Sequence, residues 1–519
     1  MRLGFFFGAG AEIGYGLPSG GKFAIDLFRQ EPSEYKTELR VQLRAIDSRS
    51  PYASEWLPQG YTDKRIHAFG RNEFTSLIES SIEYKRDEII RRLNNFDQEC
   101  DWAIQSLGID REELSQAFSS LTGSALGERL YTHDIRLNEM LSRDVRLFES
   151  EFYSAMLDIV RVEESCDDLK RYVTAFLQLL VGAHGQSLVQ RLNQELFEAA
   201  PDDLPIFDDI SGMFKLEFNR VGSTALELLL EENRQFNTGE GATALTLFSA
   251  IAQQVLENIF TTVLDYQQLI DNHFRYLYSP STEWAKFTRM VIFLKVARDY
   301  ISSQVPEIDD IPSEGYYHDL ATASSQIEIS AIGTANYNSI LSQVFNSLEA
   351  ELMEVIHLNG SVHDYYNPYK NSVVTCENSQ DLDTNQIQVP FILTQSGLKP
   401  LTSVAMSRRY VSLFDSYSES DAIVVVGFGF HKDDSHINGL FRELVESQGR
   451  RIFVISPTSE GSADEQKRKL RNKLRIAHTS SHLLTVIPVD TSTRGVEGDN
   501  WLEIVMNILR ADSESSLTQ

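Results

Sequence analysis

The feature that most constrains the fold is a short apolar segment at the start of the sequence, followed at once by glycines. Leu3–Phe7 has the composition of a buried strand, and Gly8, Gly10, Gly14 and Gly16 follow it. This pattern predicts a strand that ends in a glycine-rich turn. Because a lone strand cannot bury itself, it has to pair with strands encoded elsewhere in the chain.

Such strands are predicted only after a long helical stretch. Between residues 31 and 324, apolar residues recur mostly at three- and four-residue spacing, which is typical of helices. Short β-rich runs then alternate with helical segments, which favours parallel βαβ units. The runs are Ile327–Ile332, Val355–Leu358, Val389–Leu393, Asp421–Val426, Arg451–Ile455 and Leu483–Pro488.

We therefore predict an α/β fold, a Rossmann-like doubly wound parallel sheet interrupted by a large all-helical insertion. Residues 1–30 and 325–510 form the sheet domain, 31–324 form the insertion, and 511–519 form a flexible tail. The insertion is preferred because it gives the first strand its partners. Three separate domains in series are the alternative.

The amino-acid composition excludes or disfavours several classes of function. The 519 residues include 47 Lys and Arg against 75 Asp and Glu, a net charge of −28. The chain thus has no overall attraction to phosphate backbones, which disfavours direct nucleic-acid binding. Its three cysteines form no CxxC pair and cannot build a four-cysteine zinc site within one chain. Without a membrane-length apolar run or a signal-peptide pattern, we expect a cytoplasmic protein.

The glycine turn suits phosphate binding. Glycines after a parallel strand let the backbone approach a phosphate, and the N-terminus of a following helix offers N–H groups. The spacing of Gly8, Gly10 and Gly14 is one residue longer than the dinucleotide fingerprint, so a purely structural turn is the alternative. Residues 16–22 read GLPSGGK, but Phe23 replaces the Ser or Thr of a nucleotide-triphosphate loop, which disfavours an ATPase.

The stretch from residue 8 to residue 18 resembles a known family. Its pattern, G-A-G-x-x-x-x-x-G-L-P, is similar to the N-terminal signature of the sirtuin-like NAD-binding fold. The family usually has serine where this chain has Glu12, and a carboxylate beside the NAD phosphates would be repulsive. We therefore expect either that the Glu12 carboxylate points away from the phosphates or that the loop binds NAD differently from the family. The NAD contacts that the resemblance implies here are Gly8, Ala9, Gly10, Ala11, Glu12 and Pro18.

A second motif of the family, T-x-N-x-D, has a counterpart at residues 332–339, IGTANYNS. Thr334, Asn336 and Tyr337 match it, while Asn338 stands where aspartate is common. The resemblance implies that Asn336 contacts the nicotinamide ribose and is catalytic, and that Thr334 and Tyr337 contact NAD. An ordinary turn asparagine is the alternative.

The third motif is a strand that ends in His-Gly, and VIHLNGSVHD at residues 355–364 resembles it. Gly360 matches the glycine, but Asn359 occupies the histidine position, and its amide cannot act as an acid or base. His357 lies two residues earlier and so shares a strand face with Asn359. We therefore predict His357 as the catalytic base, with His363 in reserve, and Asn359 and Gly360 as NAD contacts. A structural histidine is the alternative.

Later segments extend the resemblance, which covers residues 1–30 and 325–510. VPFILTQSGLKP (389–400) and RIFVISPTS (451–459) are similar to later strand segments of the family. DAIVVVGFGFHKDD (421–434) is similar to its late strand and glycine turn. The NAD contacts implied there are Gly427, Phe428 and Gly429.

The resemblance also implies a chemistry. Without the zinc ribbon of sirtuin deacylases, the expected reaction is NAD+ hydrolysis to nicotinamide and ADP-ribose, with NAD as substrate and no metal. The resemblance is to effectors of bacterial antiphage abortive infection, which implies an oligomer or a protein partner encoded nearby, such as a translocase ATPase, a nucleotide-processing subunit or another defence protein. The insertion would then regulate activity or assembly.

Two alternatives to the enzyme are a non-catalytic sensor of NAD or ADP-ribose derivatives and a scaffold subunit. NAD is itself anionic, so the cleft of an acidic chain has to gather positive potential locally. We expect it from a helix N-terminus after Gly10 and from Lys22.

Overall fold

The computed structural model describes residues 1–17, 20–132, 134–137, 145–184, 197–199, 223–231, 235–239, 241–264, 275–377, 382–393 and 403–517. The chain divides into two compact units. The sheet unit comprises Met1–Ser19, Glu31–Ala68 and Gln267–Gln519, and the helical unit comprises Gly20–Gln30 and Phe69–Tyr266. The main segment of the helical unit thus begins later and ends earlier than the predicted insertion of residues 31–324. The unit also includes the helix that follows the glycine turn.

The described strands and helices are numbered in chain order. The strands are β1 (Arg2–Phe7), β2 (Arg136–Leu137), β3 (Phe197–Ala199), β4 (Glu328–Thr334), β5 (Val355–His357), β6 (Gly360–Asn367), β7 (Ser372–Thr375), β8 (Val389–Ile392), β9 (Ala422–Val426), β10 (Arg451–Pro457), β11 (Leu484–Val489), β12 (Gly495–Val496) and β13 (Asp499–Asn500). The helices of the sheet unit are α2 (Ser33–Ala45), α11 (Trp284–Gln304), α12 (Tyr316–Ala323), α13 (Ile340–Ser347), α14 (Val404–Ser418), α15 (Ser435–Glu446), α16 (Ala463–Leu474) and α17 (Trp501–Leu517). Those of the helical unit are α1 (Gly20–Arg29), α3 (Arg71–Tyr84), α4 (Arg86–Asn94), α5 (Phe96–Leu107), α6 (Arg111–Thr122), α7 (Glu151–Val162), α8 (Asp167–His184), α9 (Ser223–Leu230) and α10 (Ala244–Val263).

The sheet unit is built on six strands in the order β11-β10-β9-β1-β4-β5. Every neighbouring pair is parallel. The first strand of the chain is therefore a central strand, in which Phe5 pairs with Ile332 on one side and Val424 on the other. This confirms the predicted parallel α/β sheet, interrupted between its first and second strands.

Helices cover both faces of this sheet. Successive side chains of a strand point to opposite faces, and in β1 both faces are buried. On one face Phe5 packs edge-on against Trp501 of α17, with ring centroids 6.3 Å apart, in a cluster that includes α12 and α13. On the other face Phe6 packs against Phe441 of α15 at 5.2 Å, in a cluster that includes α14 and α16.

A second sheet departs from the prediction. The run at Val389 forms a strand, but β8 pairs antiparallel with β6, which also pairs antiparallel with β7. The cause lies at Gly360, which follows β5 closely with a φ of +81° and approaches the carbonyl of Phe391 so closely that a Cβ would overlap it. The chain turns there and leaves the parallel sheet.

The helical unit packs around two long apolar helices, α8 and α10. Apolar side chains of both are buried along most of their length, including Phe176 and Phe260. Arg29 of α1 forms an ion pair with Glu257 of α10, with 2.8 Å between Nη2 and Oε1. The expectation of an all-helical insertion is wrong in one detail, because β2 and β3 form a short antiparallel ribbon.

In the described part of the chain, no helix has both the length and the apolar character needed to cross a bilayer.

The turns after β1 and β9 pack directly on each other. The N–H of Gly8 donates to the carbonyl of Val426 (2.9 Å), and that of Gly10 donates to the carbonyl of Gly427 (2.8 Å). Gly427 has a φ of +66°, and a Cβ there would overlap the backbone nitrogen of Ala11. Only glycine fits both the conformation and the space.

This packing predicts a position-specific effect of alanine in one turn. Gly427→Ala should lower the free energy of unfolding by about 2–4 kcal/mol, because the residue is strained and overlaps the backbone. Gly429→Ala is the matched control, since nothing lies within 4 Å of its added Cβ, and it should change stability by less than about 1 kcal/mol. Urea unfolding of both variants measures the difference, and equal stabilities would show that the turns are not held as described.

Candidate functional site

A cleft lies where the strand order reverses. The strands of the parallel sheet, numbered by their place in the chain, run 3-2-1-4-5-6, and the reversal falls between β1 and β9. In sheets of this order, dinucleotides bind at the carboxyl ends of the strands beside the reversal. The cleft has a volume of about 1030 Å³, which is ample for a ligand of that size.

Both glycine turns line this cleft. Of the predicted NAD contacts, the described lining includes Gly10, Ala11, Gly427, Phe428 and Gly429. Gly8 is buried below them. Ala9 is exposed but does not belong to the described lining, and Pro18 lies outside the described residues. Two separately predicted turns are thus brought together at one cleft.

The expected helix N-terminus after Gly10 is absent from the described turn. Two short 3₁₀ turns, Ala9–Ala11 and Ile13–Tyr15, follow β1, and α1 begins only at Gly20 in the helical unit. The N–H groups of Gly8 and Gly10 already donate to backbone carbonyls. The first turn therefore allows close approach of a ligand but does not present a helix N-terminus to it.

The positive charge of the cleft comes from elsewhere. Lys469 and Lys473 of α16 and Arg494 belong to its lining. Lys469 is paired with Glu465 (2.8 Å) and Arg494 with Asp319 (2.8 Å), whereas the Lys473 ammonium donates to the carbonyl of Gly429 (2.8 Å).

Lys22, the expected source, does not belong to the described lining. It lies in the helical unit, 3.7 Å from Glu257 and 4.0 Å from Asp26. The basic run KRKLRNK of α16 is unusual in an acidic chain and would have indicated this source, although no family motif marks it.

Next to the first turn lies a buried polar group, here called the Glu12 cluster, which consists of Glu12, Tyr317, Asn336 and Asn338. The Tyr317 hydroxyl donates to Glu12 Oε1 (2.8 Å), and Asn338 Nδ2 donates to Glu12 Oε2 (2.7 Å). Asn336 Nδ2 donates to the Tyr317 hydroxyl oxygen (3.3 Å). Glu12 is not part of the described lining of the cleft, and its carboxylate faces the cluster.

Burial governs the ionisation of Glu12. It raises the pKa of this carboxyl from 4.5 to about 7, and the polar side chains of Asn338, Tyr317 and Asn336 oppose this rise. In the described part of the chain Glu12 has no ion-pair partner. A buried carboxylate without a counter-ion is costly, so this group titrates near neutral pH.

His357 is oriented as a neutral imidazole. Its Nδ1 lies 2.8 Å from the carbonyl oxygen of Asn336. Since a carbonyl can only accept, Nδ1 carries the proton and Nε2 carries the lone pair. Burial lowers the pKa of His357 below 6.5, which favours the neutral form. Arg409, paired with Asp364, also donates to the His357 carbonyl (3.3 Å).

The other predicted contacts on this side have structural partners. Thr334 Oγ1 donates to the Phe7 carbonyl (3.1 Å) and accepts from the backbone N–H of Asn336 (3.0 Å). The Tyr337 hydroxyl donates to the Leu393 carbonyl (2.8 Å). Gly360 is required by the turn into β6, and the reserve histidine, His363, lies on that strand.

Asn359 pairs with a histidine that sequence motifs did not indicate. Its Oδ1 lies 3.1 Å from Nε2 of His436, which lies in the first turn of α15. Asn336, His357 and Asn359 follow or end β4 and β5, but none of the three belongs to the described lining of the cleft.

The sequence motifs indicated neither Tyr317 nor His436, because both residues come from helices that are distant in the chain from the residues they contact. The segment at 394–402, which follows β8, lies outside the described residues.

No protein-family model matches this chain, and no curated protein is similar to it in sequence. Among the described residues, no three His, Cys, Asp or Glu side chains are grouped so that they could hold a metal ion. The class that the structure defines is a parallel α/β fold with a cleft at its strand-order reversal.

The raised pKa of Glu12 predicts a pH-dependent gain in stability on its replacement. The folded state binds this proton more tightly than the unfolded chain, so the carboxyl's contribution is full at low pH and is lost as the pH rises through about 7. Glu12→Gln does not titrate, and relative to wild type it should raise the free energy of unfolding by about 2 kcal/mol at pH 8 and by little at pH 5.

Urea unfolding at both pH values measures this difference. Glu419→Gln is the matched control, because among the described residues Glu419 makes a single side-chain contact of this kind, an exposed ion pair with Arg2. The control should change stability by less than about 1 kcal/mol at either pH. An equal effect of Glu12→Gln at pH 5 and pH 8 would contradict the burial of an unpaired carboxylate.

Proposed function

We propose that this chain is an NAD+ glycohydrolase. The observation that carries the proposal is the cleft at the strand-order reversal, lined by both glycine turns, with Asn336 and a neutral His357 at the adjoining strand ends. The sirtuin-like resemblance of the same segments supports it independently of the geometry. The proposal needs no metal and takes NAD as the substrate.

The proposed reaction cleaves the bond between the nicotinamide nitrogen and C1′ of the ribose. Nicotinamide leaves with the electron pair of that bond, and C1′ gains oxocarbenium character. A water oxygen adds to C1′ and loses one proton, which gives ADP-ribose, nicotinamide and a proton. The chain has to hold the pyrophosphate, orient the ribose and accept that proton.

Each task has a candidate group. The glycine turns admit the pyrophosphate, and Lys473, held at Gly429, supplies positive charge beside them. Asn336 orients the ribose through its amide. The lone pair on Nε2 of His357 accepts the proton, because the Asn336 carbonyl fixes the other ring nitrogen as the donor.

The biological role proposed with this activity is that of a toxic effector in bacterial antiphage abortive infection. It rests on the sequence resemblance. Uncontrolled NAD+ hydrolysis would exhaust the host's NAD, so activation by a ligand, by oligomerisation or by a protein partner encoded nearby is part of the proposal. We assign that regulation to the helical unit, and we place the protein in the cytoplasm.

A second candidate is a sensor that binds NAD or ADP-ribose without turnover. One observation favours it: the side chains of Asn336 and Asn359 are hydrogen-bonded within the protein and do not belong to the described lining of the cleft. Such a protein would bind in the same cleft but release no nicotinamide.

Replacement of Asn336 separates the two functions. The enzyme hypothesis predicts that purified wild type releases nicotinamide from NAD+ and that Asn336→Ala lowers the rate by at least about 100-fold, since an orienting group of the reacting ribose is lost. Chromatographic assay of nicotinamide measures the rate, with the genomic neighbours added where the chain alone is inactive.

Asn385→Ala is the control, because Asn385 is exposed and bonds only to Asp383 in the described structure. It should leave the rate unchanged. Tight ADP-ribose binding by wild type without any nicotinamide release, even with the neighbours present, would support the sensor and contradict the enzyme.

A further inference from the structure

We infer that Glu12 is a positioning residue that holds the catalytic amide of Asn336 through Tyr317. This inference rests on the proposed NAD+ cleavage and deepens it. It starts from Glu12, which stands where the family usually has serine. Its carboxyl is buried and has no task in the proposed reaction.

The hydrogen bonds of the Glu12 cluster have a fixed direction when Glu12 is ionised. A carboxylate only accepts, so the single hydroxyl proton of Tyr317 is donated to it (2.8 Å). The Tyr317 oxygen then has only lone pairs for Asn336, and it accepts from Nδ2 (3.3 Å). The amide nitrogen of Asn336 is therefore held inside the cluster, and its oxygen Oδ1 is directed away from Tyr317.

The same carboxylate fixes the loop that carries Asn336. Asn338 Nδ2 donates to Glu12 Oε2 (2.7 Å), and Asn338 Oδ1 accepts from the backbone N–H of Ile340 (3.1 Å) at the start of α13. Glu12 follows β1, while Asn336 and Asn338 follow β4. One buried side chain thus ties the first glycine turn to the loop of the second motif.

Protonation of Glu12 removes the fixed direction of these hydrogen bonds. A neutral carboxyl can donate to the Tyr317 oxygen, and the tyrosine proton is then free to turn to Asn336 Oδ1, so the amide is no longer held in one orientation. The pKa of Glu12, raised to about 7 by burial, places this change near neutral pH. The groups that surround the carboxyl are Tyr317, Asn338 and Asn336.

In the part of the chain that the structure describes, the titratable groups behind Tyr317 are Tyr15 and His318, with the Asp319–Arg494 ion pair (2.8 Å) close to both. Tyr15 stacks on Tyr317 with 5.2 Å between ring centroids, and its hydroxyl lies 3.0 Å from Nδ1 of His318. Burial raises the pKa of Tyr15 further above its ordinary value of 10 and lowers that of His318 below 6.5. Near pH 7 the group that changes charge here is therefore Glu12.

Glu12→Gln tests the role by separating turnover from binding. It should lower kcat for nicotinamide release by about 10- to 100-fold, because a misplaced orienting group costs rate, while the Kd for ADP-ribose changes by less than about threefold. Tyr317→Phe should have a similar effect, and the double variant should be no slower than the slower single variant, since both changes break one chain of hydrogen bonds.

Two controls distinguish positioning from damage to the fold. Glu419→Gln makes the same chemical change in an exposed ion pair near the other end of β1 and should leave kcat unchanged. Glu12→Gln itself should remain folded at pH 8 by urea unfolding. An unchanged kcat in Glu12→Gln, or an equal loss of ADP-ribose binding and turnover, would overturn the inference.

The pH profile gives a readout that a merely structural role would not move. In wild type, kcat should rise with pH through a midpoint near the Glu12 pKa of about 7. In Glu12→Gln that limb should disappear and leave only the His357 limb, which lies below 6.5. Persistence of the limb near pH 7 in Glu12→Gln would contradict the assignment.

A second measurement keeps this inference separate from the proposed activity. If wild type releases no nicotinamide, the proposed function fails, and the coupling is then tested in the full chain labelled with ¹⁵N-asparagine. The side-chain amide resonance of Asn336, identified by its absence in Asn336→Ala, should shift with pH through a midpoint near 7 in wild type but not in Glu12→Gln. A pH-independent resonance in wild type would overturn the inference.

Discussion

The central position of β1 is the constraint on which the sheet unit depends. This strand pairs with β4 on one side and β9 on the other, and its phenylalanines reach the helical layers on both faces. Without it, the two halves of the parallel sheet would have no common member. The pairing also brings the turn after β1 against the turn after β9, and this contact creates the cleft at the strand-order reversal.

The parts of the fold predicted from sequence are those encoded by local pattern. Apolar runs such as Phe5–Phe7 and Val424–Val426 mark buried strands, and their alternation with helical segments indicates a parallel sheet. Strand direction is a different matter. The run at Val389 looks like any other buried strand, and only the tertiary contact between Gly360 and Phe391 reveals that β8 joins an antiparallel sheet.

The glycines of the candidate site could be predicted from the sequence, but the side chains that contact Glu12 and Lys22 could not. Gly10 and Gly427 were each marked by a strand followed by a glycine turn, and the structure places both at one cleft. Tyr317 reaches Glu12 from a helix 305 residues away in the chain, so no local motif could reveal it. The role of Lys22 was misjudged for the same reason: its partner Glu257 is distant in sequence and close in the helical unit. The Glu12 carboxylate faces Tyr317 and Asn338 and is not part of the described lining of the cleft.

The central claim is that a dinucleotide occupies the cleft between the two glycine turns. Amide hydrogen exchange of the full chain with and without saturating ADP-ribose tests it most directly. We predict slower exchange in peptides that cover residues 9–15 and 427–430, with little change in the helices of the helical unit. Unchanged exchange in both turns when ADP-ribose is bound, or protection confined to other segments, would contradict the claim.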